Sequence, residues 1–233
     1  MTSLRAIESA VHAICPDIAA AIETKPDRAM SEVALWRELA QCVLSSQVRY
    51  ETAAAAVRRL VRQSVFTQLA SGSWTLRSAQ KIEAALERPM NVQGRIVRYR
   101  FPTSRAAQLA RTQRSLRDEG LDLRDLVYAQ RESREKRKCL VRLVSGFGPK
   151  QASMYLRNCG GSYDLAILDR HTIRYMHAIG LITDLQVERV SSLSHYEDIE
   201  ECFSLYSTKV GYPPGYVDWA IWIVMREFGV RAS

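Results

Sequence analysis

At 233 residues and 47% apolar content, the chain has material for one or two small cores and is not a disordered polymer. Its formal charge of +8 and its pI near 9.4 favour a polyanionic partner, with nucleic acid ahead of an anionic membrane surface. No apolar run is long enough to cross a bilayer, and the charged start MTSLRAIESAVHAICPD does not read as a secretory signal, so a cytoplasmic protein without membrane contact is expected.

The five cysteines, Cys15, Cys42, Cys139, Cys159 and Cys202, are odd in number, scattered and without a C-x-x-C pair. That pattern argues against a zinc site, a disulfide framework or an iron–sulfur cluster, and for buried thiols that act as small apolar side chains. No cofactor is expected. His171 and His177 read as structural rather than as metal ligands, because no third ligand stands at suitable spacing.

In chain order, nearly every periodic segment has helical spacing. Residues 31–47 place Val33, Trp36, Leu39, Ala40, Val43 and Leu44 on one face, with Ser31 as a plausible start. Residues 51–63 are alanine-rich and suit a closely packed helix. The stretch 64–103 is less regular, with a short helix expected over 77–87 and an irregular piece around Pro89 and Gly94. A further helix over 103–120 should end at Gly120. The charged run RESREKRK, beginning at Arg131, reads foremost as a solvated helix face. No convincing period-two run appears, so the expected fold is all-α with many short helices.

Two helical patterns then flank Ser145-Gly146-Phe147-Gly148-Pro149. Gly146 and Gly148 suit the positive φ of a tight hairpin, and Pro149 suits the first helical position. Such a hairpin leaves backbone N–H groups free at a helix N-terminus, where a phosphate can bind. An ordinary glycine-containing connection fits the same residues.

Lys150 follows at once, in the first turn of that helix. The helix dipole and partial desolvation both oppose an ammonium there. Nineteen positions on, Asp169 precedes the next helix pattern, Ile173, Met176 and Ile179, and can cap it. If the two helix starts converge, an amine and a carboxylate meet. A carboxylate stabilises the positive charge that develops at C1′ when a base leaves its sugar, and a free amine can attack that carbon and form a Schiff base.

The segment GFGPKQASMYLRNCGGSYDLAILDRHTIRYM resembles the helix-hairpin-helix DNA glycosylase superfamily, and most of all the second class of 8-oxoguanine DNA glycosylase/AP lyases. Gly146, Gly148, Lys150, Ala152, Ser153, Leu156, Arg157 and Asn158 match the first half of the family motif. Asp164, Leu165, Ala166, Ile167, Asp169, Arg170 and His171 match the second. Arg98 to Ala106, Glu38 to Gln47, and the segment from Val217 to Gly229 also resemble family elements.

By this resemblance Lys150 is the Schiff-base nucleophile and Asp169 the assisting carboxylate. Gly146, Phe147 and Gly148 would hold a DNA phosphate, beside Arg170 and His171. Gln47 would fill the gap left by a flipped base. Tyr155, Asp218, Trp219 and Trp222 are the base-pocket candidates, from an aromatic C-terminal stretch that also holds Tyr212, Tyr216 and Phe228.

The chain departs from the family pattern in three places. Met154-Tyr155 stands where His-Phe is common, Pro149 replaces a residue with an N–H, and the end Gly229-Val230-Arg231-Ala232-Ser233 lacks a lysine. The implied protein is a monomeric DNA glycosylase/AP lyase acting on double-stranded DNA with one nucleotide extruded, without an iron–sulfur cluster. An oxidised purine such as 8-oxoguanine is the family substrate. Two alternatives stand beside it: a glycosylase for an enzymatically modified base, such as a hydroxymethylcytosine derivative in phage DNA, acting in defence; and a non-catalytic helix-hairpin-helix module. Two helical subdomains with a DNA-binding cleft are expected, 34–158 with the hairpin, and 1–33 together with 159–233.

Overall fold

A computed structural model describes residues 4–24, 29–73, 76–183 and 193–227. The chain divides into two compact units, Met1–Arg28 with Gly148–Ser233, and Ala29–Phe147. The boundary therefore falls inside the hairpin, after Phe147 rather than after position 158. The reason lies in the helix after the hairpin, whose Arg157 is bound to Asp218 near the C-terminus.

In the Ala29–Phe147 unit, α2 (Glu32–Ser45) starts as its sequence predicts, with Ser31 Oγ accepting from the Ala34 N–H at 3.3 Å. Its buried face is Leu35, Trp36, Leu39, Ala40, Cys42, Val43 and Leu44, whereas Val33 is 39% exposed. The expected stripe thus holds from Trp36 onward, and Val33 alone falls outside it. Helix α3 (Tyr50–Arg62) buries Ala53, Ala55 and Ala56, and small side chains allow the close approach that the alanine run implies. Helices α4 (Val65–Ala70), α5 (Leu76–Glu87) and α6 (Pro102–Asp118) follow. Gly120, at φ +66°, ends the last of these as expected.

Between α5 and α6 the irregular piece is an antiparallel pair, β1 (Met90–Val92) and β2 (Arg95–Val97), in the register Met90↔Val97 and Val92↔Arg95. Gln93 and Gly94 have φ of 51° and 81°, the two left-handed residues of a type I′ turn. Strands of three residues are too short to show a period of two. Helix α7 (Leu123–Tyr128) starts on a reciprocal Asp122–Asp125 capping box, and α8 (Ser133–Leu143) carries the charged run. That run is not wholly a solvated face, because Arg137 is fully buried.

The other unit packs α1 (Leu4–Glu23) through Ile7, Val11, Cys15 and Ile18 into a core with α10 (Arg170–Ala178), α11 (Leu193–Val210) and α12 (Pro214–Glu227). Helix α9 (Pro149–Asn158) completes it. Cys15, Cys42 and Cys159 are buried, as small apolar residues would be, but Cys139 is half-buried and Cys202 is exposed. No described helix is long and apolar enough to cross a membrane.

Candidate active site

Only one of the two hairpin glycines has the positive φ expected of both, because Gly148 is extended, at φ −104°. Gly146 sits at φ +90°, and a Cβ there would lie 2.4 Å from Gln108 Nε2 on α6. Phe147 is buried and donates its N–H to Val144 O at 3.1 Å, so its side chain anchors the turn. Ser145 N–H donates to Thr112 Oγ1 at 3.0 Å. The N–H groups of Gly146 and Lys150 have no acceptor among the described residues, and that of Gly148 reaches only Gln151 Oε1, at 3.4 Å. Those of Gly148 and Lys150, at the start of α9, are the donors an anion would use.

Gln47 stands exposed, just beyond α2, with φ 60°, an unusual conformation for a residue other than glycine. The turn around it is tied down on two sides. Tyr99 Oη donates to Leu44 O at 2.8 Å, and Arg105 Nη2 donates to Ser46 O at 3.0 Å. The Arg105 guanidinium also donates to Gln108 Oε1 at 2.8 Å and lies 5.3 Å from the Phe101 ring centroid. One arginine therefore braces the Gln47 turn and the glutamine beneath Gly146. The matched family element contains Arg105, but nothing in the sequence alone assigns it this double bond.

In the other unit, Pro149 occupies the first position of α9 and Lys150 the second. Lys150 is exposed, so the partial desolvation expected of it is not present in the protein alone. Asp169 caps α10, with Oδ1 accepting from the N–H groups of His171 at 2.7 Å and Thr172 at 2.9 Å. Both bonds fall on one oxygen. Oδ2 has no hydrogen bond among the described residues, so the carboxylate can cap a helix and still face a substrate with its second oxygen.

Asp169 is reached through an irregular strap, Leu165–Leu168, which three buried side chains hold by its backbone. Glu200 Oε1 accepts from Ala166 N–H at 3.0 Å, Asp218 Oδ2 from Ile167 N–H at 2.6 Å, and Tyr196 Oη from Leu168 N–H at 3.0 Å. Tyr196 Oη donates in turn to Ala166 O at 2.8 Å. Gly215 brings α12 against the start of this strap, where a Cβ would stand 2.9 Å from Tyr163 O. Glu200 and Tyr196 escaped the sequence reading. The available signal was phase, because Tyr196, Ile199, Glu200 and Phe203 share one helical face, which puts a carboxylate on the apolar side.

Arg170 is exposed and donates from Nε to His171 Nε2 at 3.4 Å. Burial holds the His171 imidazole below its ordinary range, and Arg170, Arg174 and Arg226 push the same way against Asp169. The three arginines form a cationic rim beside Asp169, with the His171 imidazole kept neutral among them.

The four base-pocket candidates have different surroundings. Tyr155 is fully buried, so it packs in the core and offers no face to a base. Asp218 is 2% exposed and bonded to Arg157. Trp219 is half-buried, with the Arg157 guanidinium 5.3 Å from its ring centroid. Trp222 is 37% exposed, with Arg226 at 5.0 Å, and is the most open stacking surface of the four. Phe228 and the five terminal residues lie outside the described residues. Among the described residues no three His, Cys, Asp or Glu side chains group as metal ligands.

An all-α chain with a glycine–proline hairpin, a lysine at the following helix start and a capping aspartate beyond it has the composition of a helix-hairpin-helix DNA glycosylase. The chain belongs to the 8-oxoguanine DNA glycosylase family, whose sequence model matches residues 22–212. It is similar to the 8-oxoguanine DNA glycosylase/AP lyase of Metallosphaera sedula, at 27% identity over 86% of both chains. In structure it is similar to the 8-oxoguanine DNA glycosylase of Thermotoga maritima, with a TM-score of 0.70 and 26% identity over 96% of this chain and 95% of that one. A Methanocaldococcus jannaschii 8-oxoguanine glycosylase/lyase in complex with 8-oxoguanine DNA shares the fold, with a TM-score of 0.62 and 22% identity over 97% of this chain and 91% of that one.

Proposed function

We propose that the protein excises 8-oxoguanine from duplex DNA and then cleaves the abasic strand through a Schiff base on Lys150. The observation that carries this reading is the half-used carboxylate of Asp169. One oxygen is fixed by two backbone N–H groups, which leaves the other oriented and open. The substrate comes from the relatives, which are named as 8-oxoguanine DNA glycosylase/AP lyases.

The steps follow from the groups present. Backbone phosphates dock on the Gly146–Gly148 turn and on the Arg170, His171, Arg174 and Arg226 rim, and the damaged nucleotide leaves the stack. Gln47 enters the gap, and Trp222 stacks on the extruded base. As the bond from C1′ to the base breaks, its electron pair leaves with the base, which takes up a proton. Asp169 stabilises the positive charge left on the sugar. The Lys150 amine forms a bond to C1′, loses a proton, and the sugar ring opens to an imine. Loss of a C2′ proton then expels the 3′-phosphate and breaks the strand.

The test is a panel of duplexes, each with one altered base, treated with borohydride. Excision and covalent trapping are expected on 8-oxoguanine DNA, and no trapping with Lys150→Gln. Activity confined to a modified pyrimidine would replace the substrate assignment, and trapping by Lys150→Gln would remove the nucleophile. DNA binding without trapping on any duplex would leave a binding module.

A further inference from the structure

We propose that Asp218 is a positioning residue, whose single buried carboxylate ties the helix bearing Lys150 to the strap bearing Asp169, rather than a contact to the excised base. The proposal rests on the roles given above to Lys150 and Asp169.

Each oxygen of Asp218 serves a different partner. Oδ1 accepts from Arg157 Nη1, and Oδ2 accepts from the Ile167 N–H at 2.6 Å. Arg157 stands seven residues after Lys150 on α9, so the two lie on nearly the same helix face, about 10 Å apart along the axis. Ile167 stands two residues before Asp169. The carboxylate thus joins the far end of the nucleophile's helix to the backbone that delivers the assisting carboxylate.

The surroundings fit a strut rather than a reader. Asp218 has 2% of its surface exposed, and both its oxygens are already engaged by donors. Once ionised, a carboxyl so placed needs all of its partners, because desolvation is offset only while both bonds are made. Arg157 is held from its other side by the Trp219 ring, and Gly215 allows α12 to approach the strap closely. Replacement by asparagine sets an NH2 donor against either the guanidinium or the Ile167 N–H, so at most one of the two links survives. Because reacting groups must meet within a fraction of an ångström, a loosened link lowers the rate of every step that uses Lys150 and Asp169 together.

The distinguishing substrate is an abasic duplex, which has no base to contact. Full-length wild type, Asp218→Asn, Arg157→Met and the double variant are compared in borohydride trapping at an abasic site, in single-turnover excision of 8-oxoguanine, and in affinity for a duplex carrying a tetrahydrofuran abasic analogue. Trapping and excision should both fall by about tenfold or more in each single variant, with affinity kept within about threefold and the double variant no worse than the singles. Asp218→Asn that traps at the wild-type rate while losing excision would make Asp218 a base contact and overturn the proposal. Normal trapping by folded Arg157→Met would overturn it too, even if Asp218→Asn fails to fold. Failure of wild type to trap at all would instead overturn the Schiff-base reading on which the strut depends, and the strut with it.

Discussion

Gln108 lies flush against Gly146, where any side chain would need space that the glutamine amide already fills at 2.4 Å. That amide is held by Arg105 and cannot simply swing away. The turn also needs φ +90°. Gly146→Ala should therefore destabilise the protein by about 1–3 kcal/mol and weaken DNA binding, as read by thermal unfolding and by titration of labelled duplex. Adding Gln108→Ala relieves the clash but not the backbone strain, so recovery should be partial. Full recovery would show that the contact alone matters.

Arg105 is the corresponding test for the Gln47 turn. Its guanidinium satisfies Ser46 O and Gln108 Oε1 together. Arg105→Met keeps the apolar bulk and strands both acceptors, at about 1–3 kcal/mol for each group left unpaired. Affinity for a duplex with an abasic analogue should fall more than affinity for intact duplex if Gln47 fills the gap as proposed. Equal loss on both duplexes would assign Arg105 to general stability.

The double duty of Asp169 can be separated. Asparagine caps a helix about as well as aspartate, whereas alanine does not. Asp169→Asn should unfold within a degree or two of wild type yet lose excision by about a thousandfold, the scale expected for removing a charge that acts on the transition state. Asp169→Ala should lose the same activity and about 1 kcal/mol of stability besides. An active Asp169→Asn would refute the electrostatic role.

Burial pushes the Asp218 carboxyl from its ordinary 3.8 up to about 7, against the pull of Arg157 and with Asp169 adding to the rise. The folded protein then holds a proton over that interval which the unfolded chain has released. The stability linked to that proton is complete below the ordinary carboxyl range and is lost as pH rises to about 7. The stability of wild type relative to Asp218→Asn should therefore decline across that window and level off above it. A flat difference would mean that the carboxylate stays ionised between its two donors throughout.

Thiol reagents should label Cys202 first and Cys139 next in native protein, with Cys15, Cys42 and Cys159 protected until unfolding. Cys15 is protected twice, since burial also raises its thiol to about 11.

What the sequence made legible is short in range. The Ser31 cap, the Gly120 stop, the positive φ of Gly146 and the Asp169 cap each depend on residues within a few positions, and local chemistry alone specifies them. The β1–β2 pair was hidden because three residues cannot display alternation. The full burial of Tyr155 was hidden because an aromatic close to Lys150 in sequence reads equally well as wall or as core. The partners of Asp218 lie 61 and 51 residues away, and those of the Ala166 and Leu168 N–H groups 34 and 28 away. Pairings at such separations are fixed by how helices pack, and no spacing rule announces them.

The strap's dependence on α11 and α12 has a consequence for damage and ageing of the protein itself. Heat, oxidation or truncation that frees those last two helices leaves Asp169 without its guides, while the Gln47 turn and its Arg105 brace belong to the other unit and stay built. Such a molecule would keep only the part of its grip on the duplex that does not depend on Arg226 of α12, after losing the ability to cut it. Survival of DNA retention in a gel is therefore a poor proxy for a working preparation, and only turnover reports that the C-terminal helices are in place.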